Sequence, residues 1–396
     1  MYKRQSLTHS YLDLDVVNNN LSADTDAPIL RFEETRNQPF LDGNSSDYFC
    51  TIIRFSIQTG NSLPVFIPRI ETGQTDVNKT VYKITMTWGT YSTTISVPYS
   101  SNDLTAPIPL TPNDVQDLSS TYYFVYNIQN VVEMLNAGFT KAVAELLKLM
   151  GYIPPKVPPD PNAAPIPTVI QAFLAATAPF FELDTNTNRL VINVDALFVK
   201  STIGSYTGNI YINTRLYEML SGLNCTLVTT SGDANYLVNT NSYNPKSYKD
   251  EMDVYHTMYQ MPQEISSVPM WNPIASIVFC SSMIPVVPTN TSPAKTYSDV
   301  WSTNLISTGN NSNLTNIITD FEIPISETNQ YRPVIFYSPT AEYRLVDMHS
   351  TLNLNRVDIT VFWKTHFGEF IPLRLPAGCS AHIKIMFRHR LFNIPE

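Results

Sequence analysis

The chain has 396 residues, of which only 15% are charged, and its formal net charge at pH 7 is −9. Typical soluble domains contain about 25% charged residues, so uncharged polar side chains must cover much of this surface. Such a surface loses little solvation energy against another subunit, which favours self-assembly; the alternative is a solvated polar surface without partners. The acidic balance argues against a general nucleic-acid binder, because phosphate is bound through Lys and Arg.

Residues 1–27 are polar and acidic and show no hydrophobic period, which predicts a flexible N-terminal arm. The arm either becomes ordered against a neighbouring subunit or stays a disordered terminus. In both cases we expect the chain to fold without it. The first twenty residues lack the apolar core of a signal peptide, and no apolar run is long enough to predict a membrane span.

Residues 28–118 alternate with a period of two and form the first predicted β-rich region. The segment Asp47–Gln58 is rich in aromatic and β-branched residues and predicts a strand. The segments Thr80–Trp88 and Tyr91–Tyr99, separated only by Gly-Thr, predict a hairpin. A third strand candidate is the short apolar run Leu63–Pro68.

Residues 119–180 predict a helical, proline-rich bridge. Apolar residues recur at steps of three and four over Tyr126–Met150, which predicts an amphipathic helix that packs along a sheet or a subunit neighbour. Gly151 is placed as its C-terminal stop. Gly138 is expected to weaken the middle of the helix by about 1 kcal/mol relative to Ala.

Prolines dominate the segment Pro154–Pro167, which can continue neither a helix nor a central strand and predicts an extended polyproline path. The segment Thr168–Ala178 predicts a short second helix, with Thr168 as its N-cap.

Residues 181–396 form the second predicted β-rich region. A hairpin is predicted around the turn Thr185–Asn188, a strand followed by a short helix over Asn209–Leu223, and a buried strand within Ile274–Val287.

The last sixty residues predict an antiparallel meander with one buried face. Alternation places two sets of four apolar residues on that face: Val357, Ile359, Val361 and Trp363 in one strand, and Ala381, Ile383, Ile385 and Phe387 in another. We predict in particular that Val361, Trp363, Ile383 and Ile385 are buried. The predicted fold class is therefore mainly β, with one or two antiparallel jelly-roll-like sandwiches interrupted by the bridge.

Residue types with reactive side chains do not form a recognisable site. HExxH, GxSxG and P-loop motifs are absent from the sequence. Cys379 and His382 stand three apart at a predicted strand, which places them on opposite faces and disfavours a metal site. Asp320 and Glu322 share a strand face as glycosidase carboxylates might, although solvent-facing acids on an edge strand explain the pattern more simply.

The remaining candidates also have structural interpretations. The four cysteines are far apart and lack CxxC spacing, so buried free thiols are expected; they are Cys50, Cys225, Cys280 and Cys379. Lys384, Arg388 and Arg390 form either a local basic patch or a solvated strand edge. The aromatic residues Tyr122, Tyr123, Phe124 and Tyr126 either pack in the core or form a platform on which bases or sugars stack. We therefore predict no catalytic, cofactor-binding or metal-binding residue, and no enzyme.

Several stretches resemble structural proteins of virophages, polinton-like viruses and adintoviruses, whose shells are built from jelly-roll proteins. The stretches are LTNIITDFEIP, YRPVIFYSPTAEYRLVDM, DITVFWK, PLRLPAGCSAHIKIMFRHR, TAPFFELDTNTNRLVINVD and NIYINTRLYEMLSGL. The resemblance implies a jelly-roll fold and a place in the virion as a shell or vertex subunit, with copies of itself and other capsid proteins as partners. The alternative function is a β-sandwich that binds a host receptor or a glycan.

Overall fold

The computed structural model of the protein describes most of the chain, and the chain divides into two compact units. The described ranges are 9–20, 27–58, 63–71, 73–110, 116–118, 120–152, 167–200, 207–230, 233–240, 245–249, 255–288, 295–296, 306–307, 316–323, 334–339 and 344–390. The first unit combines residues 1–64 with 273–396, and the second, residues 65–272, is inserted between them in the sequence. The predicted boundaries after residues 118 and 180 both fall inside the second unit.

The described residues form mainly β-strands. In chain order the strands are β1 (His9–Val17), β2 (Arg31–Thr35), β3 (Tyr48–Gln58), β4 (Lys79–Trp88), β5 (Tyr91–Pro98), β6 (Phe180–Asp184), β7 (Arg189–Asp195), β8 (Gly208–Asn213), β9 (Cys225–Thr230), β10 (Asp233–Val238), β11 (Pro245–Lys249), β12 (Tyr255–Pro262), β13 (Ile274–Cys280), β14 (Lys295–Thr296), β15 (Ile306–Ser307), β16 (Ile317–Phe321), β17 (Val334–Tyr337), β18 (Val346–Asp347), β19 (Arg356–Thr365), β20 (Phe370–Pro372) and β21 (Ser380–His389). The α-helices are α1 (Ile128–Leu149), α2 (Thr168–Ala175), α3 (Leu197–Lys200) and α4 (Thr214–Met219).

The first unit is an antiparallel jelly-roll sandwich. One sheet has the order β1-β21-β3-β17, with β18 also on β3, and the other has the order β16-β13-β19-β2, with β20 also on β19. Aromatic rings join the two sheets: Phe55 on β3 contacts Phe279 on β13 with a centroid distance of 4.9 Å, and Phe321 on β16 stacks on Tyr337 at 4.5 Å. The mainly β jelly-roll fold predicted from the sequence is confirmed.

The predicted C-terminal meander is wrong, although its strands exist. Strand β19 pairs with β13 and β2, whereas β21 pairs with β1 and β3, so the two strands belong to different sheets. The predicted buried face is confirmed, since the exposed fractions of Val361, Trp363, Ile383 and Ile385 are 0–1%. Alternation identifies the buried face of a strand, but it carries no information about the neighbouring strand.

Replacing Ile385 by Ala should lower the free energy of unfolding by about 2–5 kcal/mol, because it leaves a cavity in a fully buried position. Denaturant unfolding followed by circular dichroism measures this loss. Arg54→Ala is the matched control, since the side chain of Arg54 is half-exposed on the neighbouring strand β3. This substitution should lower the free energy of unfolding by less than about 1 kcal/mol. A loss below about 0.5 kcal/mol for Ile385→Ala would contradict the burial.

The predicted arm is wrong for the residues that are described within it. His9–Val17 forms the edge strand β1, which pairs with β21 in unbroken register from His9 opposite Arg388 to Val17 opposite Ser380. Leu12 and Leu14 are 5% and 9% exposed and belong to the core. The alternation in the sequence YLDLDVV is a two-residue period, which the acidic composition of the segment concealed.

The second unit consists of two further antiparallel sheets with helices packed against them. The larger sheet has the order β5-β4-β8-β10-β9 and the smaller has the order β11-β12-β7-β6. The hairpin predicted in the first β-rich region is β4–β5, and the hairpin around Thr185–Asn188 is β6–β7. The run Leu63–Pro68 forms no strand and contributes only a single bridge, between Phe66 and Val125.

Helix α1 packs against both sheets of the second unit, as its apolar stripe predicts. The side chain of Asn127 caps its start by accepting a hydrogen bond from the backbone N–H of Gln129 (2.8 Å), and Gly151 follows its end with φ = +86°. A Cβ atom on Gly138 would lie 3.1 Å from Ile84 and 3.2 Å from Val97. Gly138 therefore allows close approach of the helix to the sheet, which outweighs its low helix propensity.

The short helix α2 begins at Thr168, as predicted, but its N-cap is Pro167 and no side chain caps it. The proline tract is described only at its last residue, Pro167, so the predicted extended path lies outside the described residues.

Candidate assembly surfaces

The outer face of the larger sheet in the second unit carries a row of uncharged side chains across five strands. Strand register aligns Thr94 with Thr85, Thr85 with Tyr211, Tyr211 with Leu237 and Leu237 with Thr226. The hydroxyl groups of Thr85 and Thr94 are hydrogen-bonded at 2.8 Å. We call these five residues the polar sheet face.

Charged groups beside the polar sheet face are paired. Lys83 and Lys79 on β4 lie 3.3 Å and 3.5 Å from the carboxylate of Glu71. Burying a sheet face of hydroxyl and apolar groups costs far less than burying unpaired charge. The face therefore has the chemistry of a subunit contact, which the low charge of the whole sequence predicted without locating it.

The outer face of the β1-β21-β3 sheet in the first unit is different, because it carries an ionic ladder. Asp13 on β1 contacts Lys384 on β21 (2.9 Å) and Arg54 on β3 (3.4 Å). Asp15 contacts the ring Nδ1 of His382 at 2.6 Å. The acidic residues of the N-terminal segment thus pair with basic residues near the C-terminus.

This ladder changes the interpretation of the candidate basic patch. Lys384 is ion-paired with Asp13, and Arg390 contacts Asp347 (2.9 Å) and lies over the ring of Phe49. Paired charges of this kind have little attraction for phosphate. Lys384 and Arg390 therefore belong to ion pairs rather than to a basic patch.

A buried carboxylate, Asp358 on β19, holds the loop that follows β13. It accepts hydrogen bonds from the hydroxyls of Ser281 (2.8 Å) and Ser282 (2.7 Å) and from the backbone N–H of Met283 (2.7 Å), and it lies 3.2 Å from Arg31. Burial alone would raise the pKa of the Asp358 carboxyl, but these hydrogen bonds outweigh burial and hold the pKa below its usual value.

Replacing Asp358 by Ala should lower the free energy of unfolding by about 3–5 kcal/mol, because the hydroxyls of Ser281 and Ser282 and the backbone N–H of Met283 lose their acceptor. Arg31 keeps its ion pair with Glu33 (2.7 Å). The lowered pKa means that the carboxylate stabilises the fold above the unfolded pKa of about 3.9 and that this contribution is lost as the pH falls through the folded pKa. Urea unfolding at several pH values measures this effect. The difference in unfolding free energy between wild type and variant should become smaller only at acid pH.

The control for this substitution is Asp320→Ala, which removes a partly exposed carboxylate from an ion pair with Arg344 and should cost about 1 kcal/mol or less. We call Asp358 together with the hydrogen bonds that it accepts the Asp358 clamp. Equal losses of unfolding free energy for the two variants would show that this clamp contributes no more stability than a surface ion pair. No local pattern predicts this interaction, because Ser282 and Asp358 are 76 residues apart in the sequence.

The residues considered for chemistry do not come together. Asp320 is ion-paired with Arg344, and Glu322 is exposed past the end of β16. His382 faces Asp15, while Cys379 lies in the turn before β21. Within the described residues no group of three His, Cys, Asp or Glu side chains is placed to hold a metal ion.

The aromatic and cysteine candidates belong mainly to the packing. Tyr122, Tyr123 and Phe124 are 0–8% exposed, and the Tyr122 hydroxyl donates to Asn78 at 2.7 Å. All four cysteines are free thiols; Cys50 and Cys280 are buried, as predicted, whereas Cys225 and Cys379 are only partly buried. None of the described helices has the length and apolar character needed to cross a membrane.

The jelly-roll architecture of the first unit is of a kind that viral capsid domains and lectin domains share. Residues 10–389 match the model of the Sputnik minor capsid protein V18/19 family, and the chain belongs to this family. It is therefore a structural protein of a viral capsid, and its place is in the virion.

Two relatives come from the Sputnik virophage. The uncharacterized protein V18 is 32% identical over 127 residues, which cover 30% of this chain and 74% of V18. The structural protein V19 is 23% identical over 218 residues, which cover 52% of this chain and 92% of V19.

Two solved structures share the fold over nearly the whole chain. A chain in the cryo-electron microscopy structure of the Sputnik virophage aligns with a TM-score of 0.70 and 22% identity, covering 98% of this chain and 100% of that one. The mavirus penton protein aligns with a TM-score of 0.59 and 15% identity, covering 96% and 99%.

Proposed function

We propose that the protein is a vertex subunit of a virophage-like capsid, where five copies form a ring. The observation that carries this proposal is the fold shared along nearly the whole chain with the mavirus penton protein. Membership in a minor capsid protein family supports it, since vertex subunits are few in a shell. The low charge of the sequence supports extensive subunit contacts.

The proposed role is structural rather than catalytic. The partners are copies of this chain and the other capsid proteins that surround a vertex. The five residues of the polar sheet face are proposed to contact such a neighbour, because their side chains can leave water at little cost.

Negative-stain electron microscopy of the purified protein tests the proposed ring. We expect class averages with fivefold symmetry and a uniform diameter. Isolated single chains under all conditions of salt and pH would overturn the vertex role. Particles with a different rotational symmetry would leave a capsid role but remove the vertex assignment.

Adding charge to the polar sheet face tests its part in the shell. The double variant Thr94→Glu, Thr226→Glu places two carboxylates on exposed positions of strands β5 and β9. We expect an unchanged melting temperature and at least tenfold weaker assembly, measured by light scattering with the other capsid proteins. Thr94→Ser, Thr226→Ser is the matched control. Assembly equal to wild type would show that the face remains in solvent.

A further inference from the structure

We draw no further inference here: the strongest candidate, the exposed apolar surface segment 104–110 of the second unit with Leu104, Ile108 and Leu110, carries no proposal because nothing in the structure shows what covers it.

Discussion

Replacing Leu146 by Asp should prevent the second unit from folding. Leu146 is 0% exposed on helix α1, within the core that joins the helix to both sheets. The substitution removes a buried apolar side chain, worth about 2–5 kcal/mol, and puts a carboxylate in a site without a partner, which adds a penalty of several kcal/mol. The sum is comparable to the total stability of a domain, about 5–15 kcal/mol.

Soluble yield and circular dichroism measure this effect. Leu149→Asp is the matched control, since Leu149 lies three residues further along the same helix and is 52% exposed. We expect the control to fold and melt near wild type. A soluble Leu146→Asp variant with the wild-type melting temperature would show that the stripe does not form the core.

Deleting the chain through Asn20 should unfold the first unit. The deletion removes strand β1, including the buried side chains of Leu12 and Leu14, each worth about 1.5–3 kcal/mol. It also opens the whole edge of β21, whose unpaired backbone then becomes a template for aggregation. We expect insoluble protein or the loss of one of two unfolding transitions in calorimetry.

A deletion of residues 1–8 only is the control, because it leaves every residue of β1 in place. This expectation reverses the one drawn from the sequence, which predicts that the chain folds without the acidic segment. A folded, soluble protein that lacks residues 1–20 would show that the arm interpretation was correct and that β1 contributes little to the unit.

Local patterns in the sequence predicted many of the elements. Alternation located β3, β19 and β21 within one or two residues, because a strand with one buried face must place apolar residues at every second position. The spacing of apolar residues located α1 equally well, and Asn127 and Gly151 mark its two ends.

Strand pairing could not be predicted in the same way. Strand β21 lies between β1 and β3, which are more than 300 residues away in the sequence, and an insertion of 208 residues separates the two parts of the first unit. Alternation is satisfied equally by a local meander and by these distant partners. The local meander was therefore the simpler prediction and the wrong one.

The candidate contacts show the same limit. The low charge of the sequence predicted uncharged contact surfaces, but the row from Thr94 to Thr226 exists only because β4, β5, β8, β9 and β10 align in one sheet. The Asp358 clamp depends on side chains that folding brings from distant positions, such as Ser282. No short sequence motif encodes such sites.

The mass of the assembled particle in solution is the most direct test of the vertex assignment. Size-exclusion chromatography with multi-angle light scattering should give one peak at five times the 44.6 kDa of the chain, with a uniform mass across the peak. The measurement should be repeated over a range of protein concentration, salt and pH, since contacts between uncharged surfaces depend little on ionic strength. A mass of one chain under all these conditions, or an open-ended distribution of masses, would contradict the account.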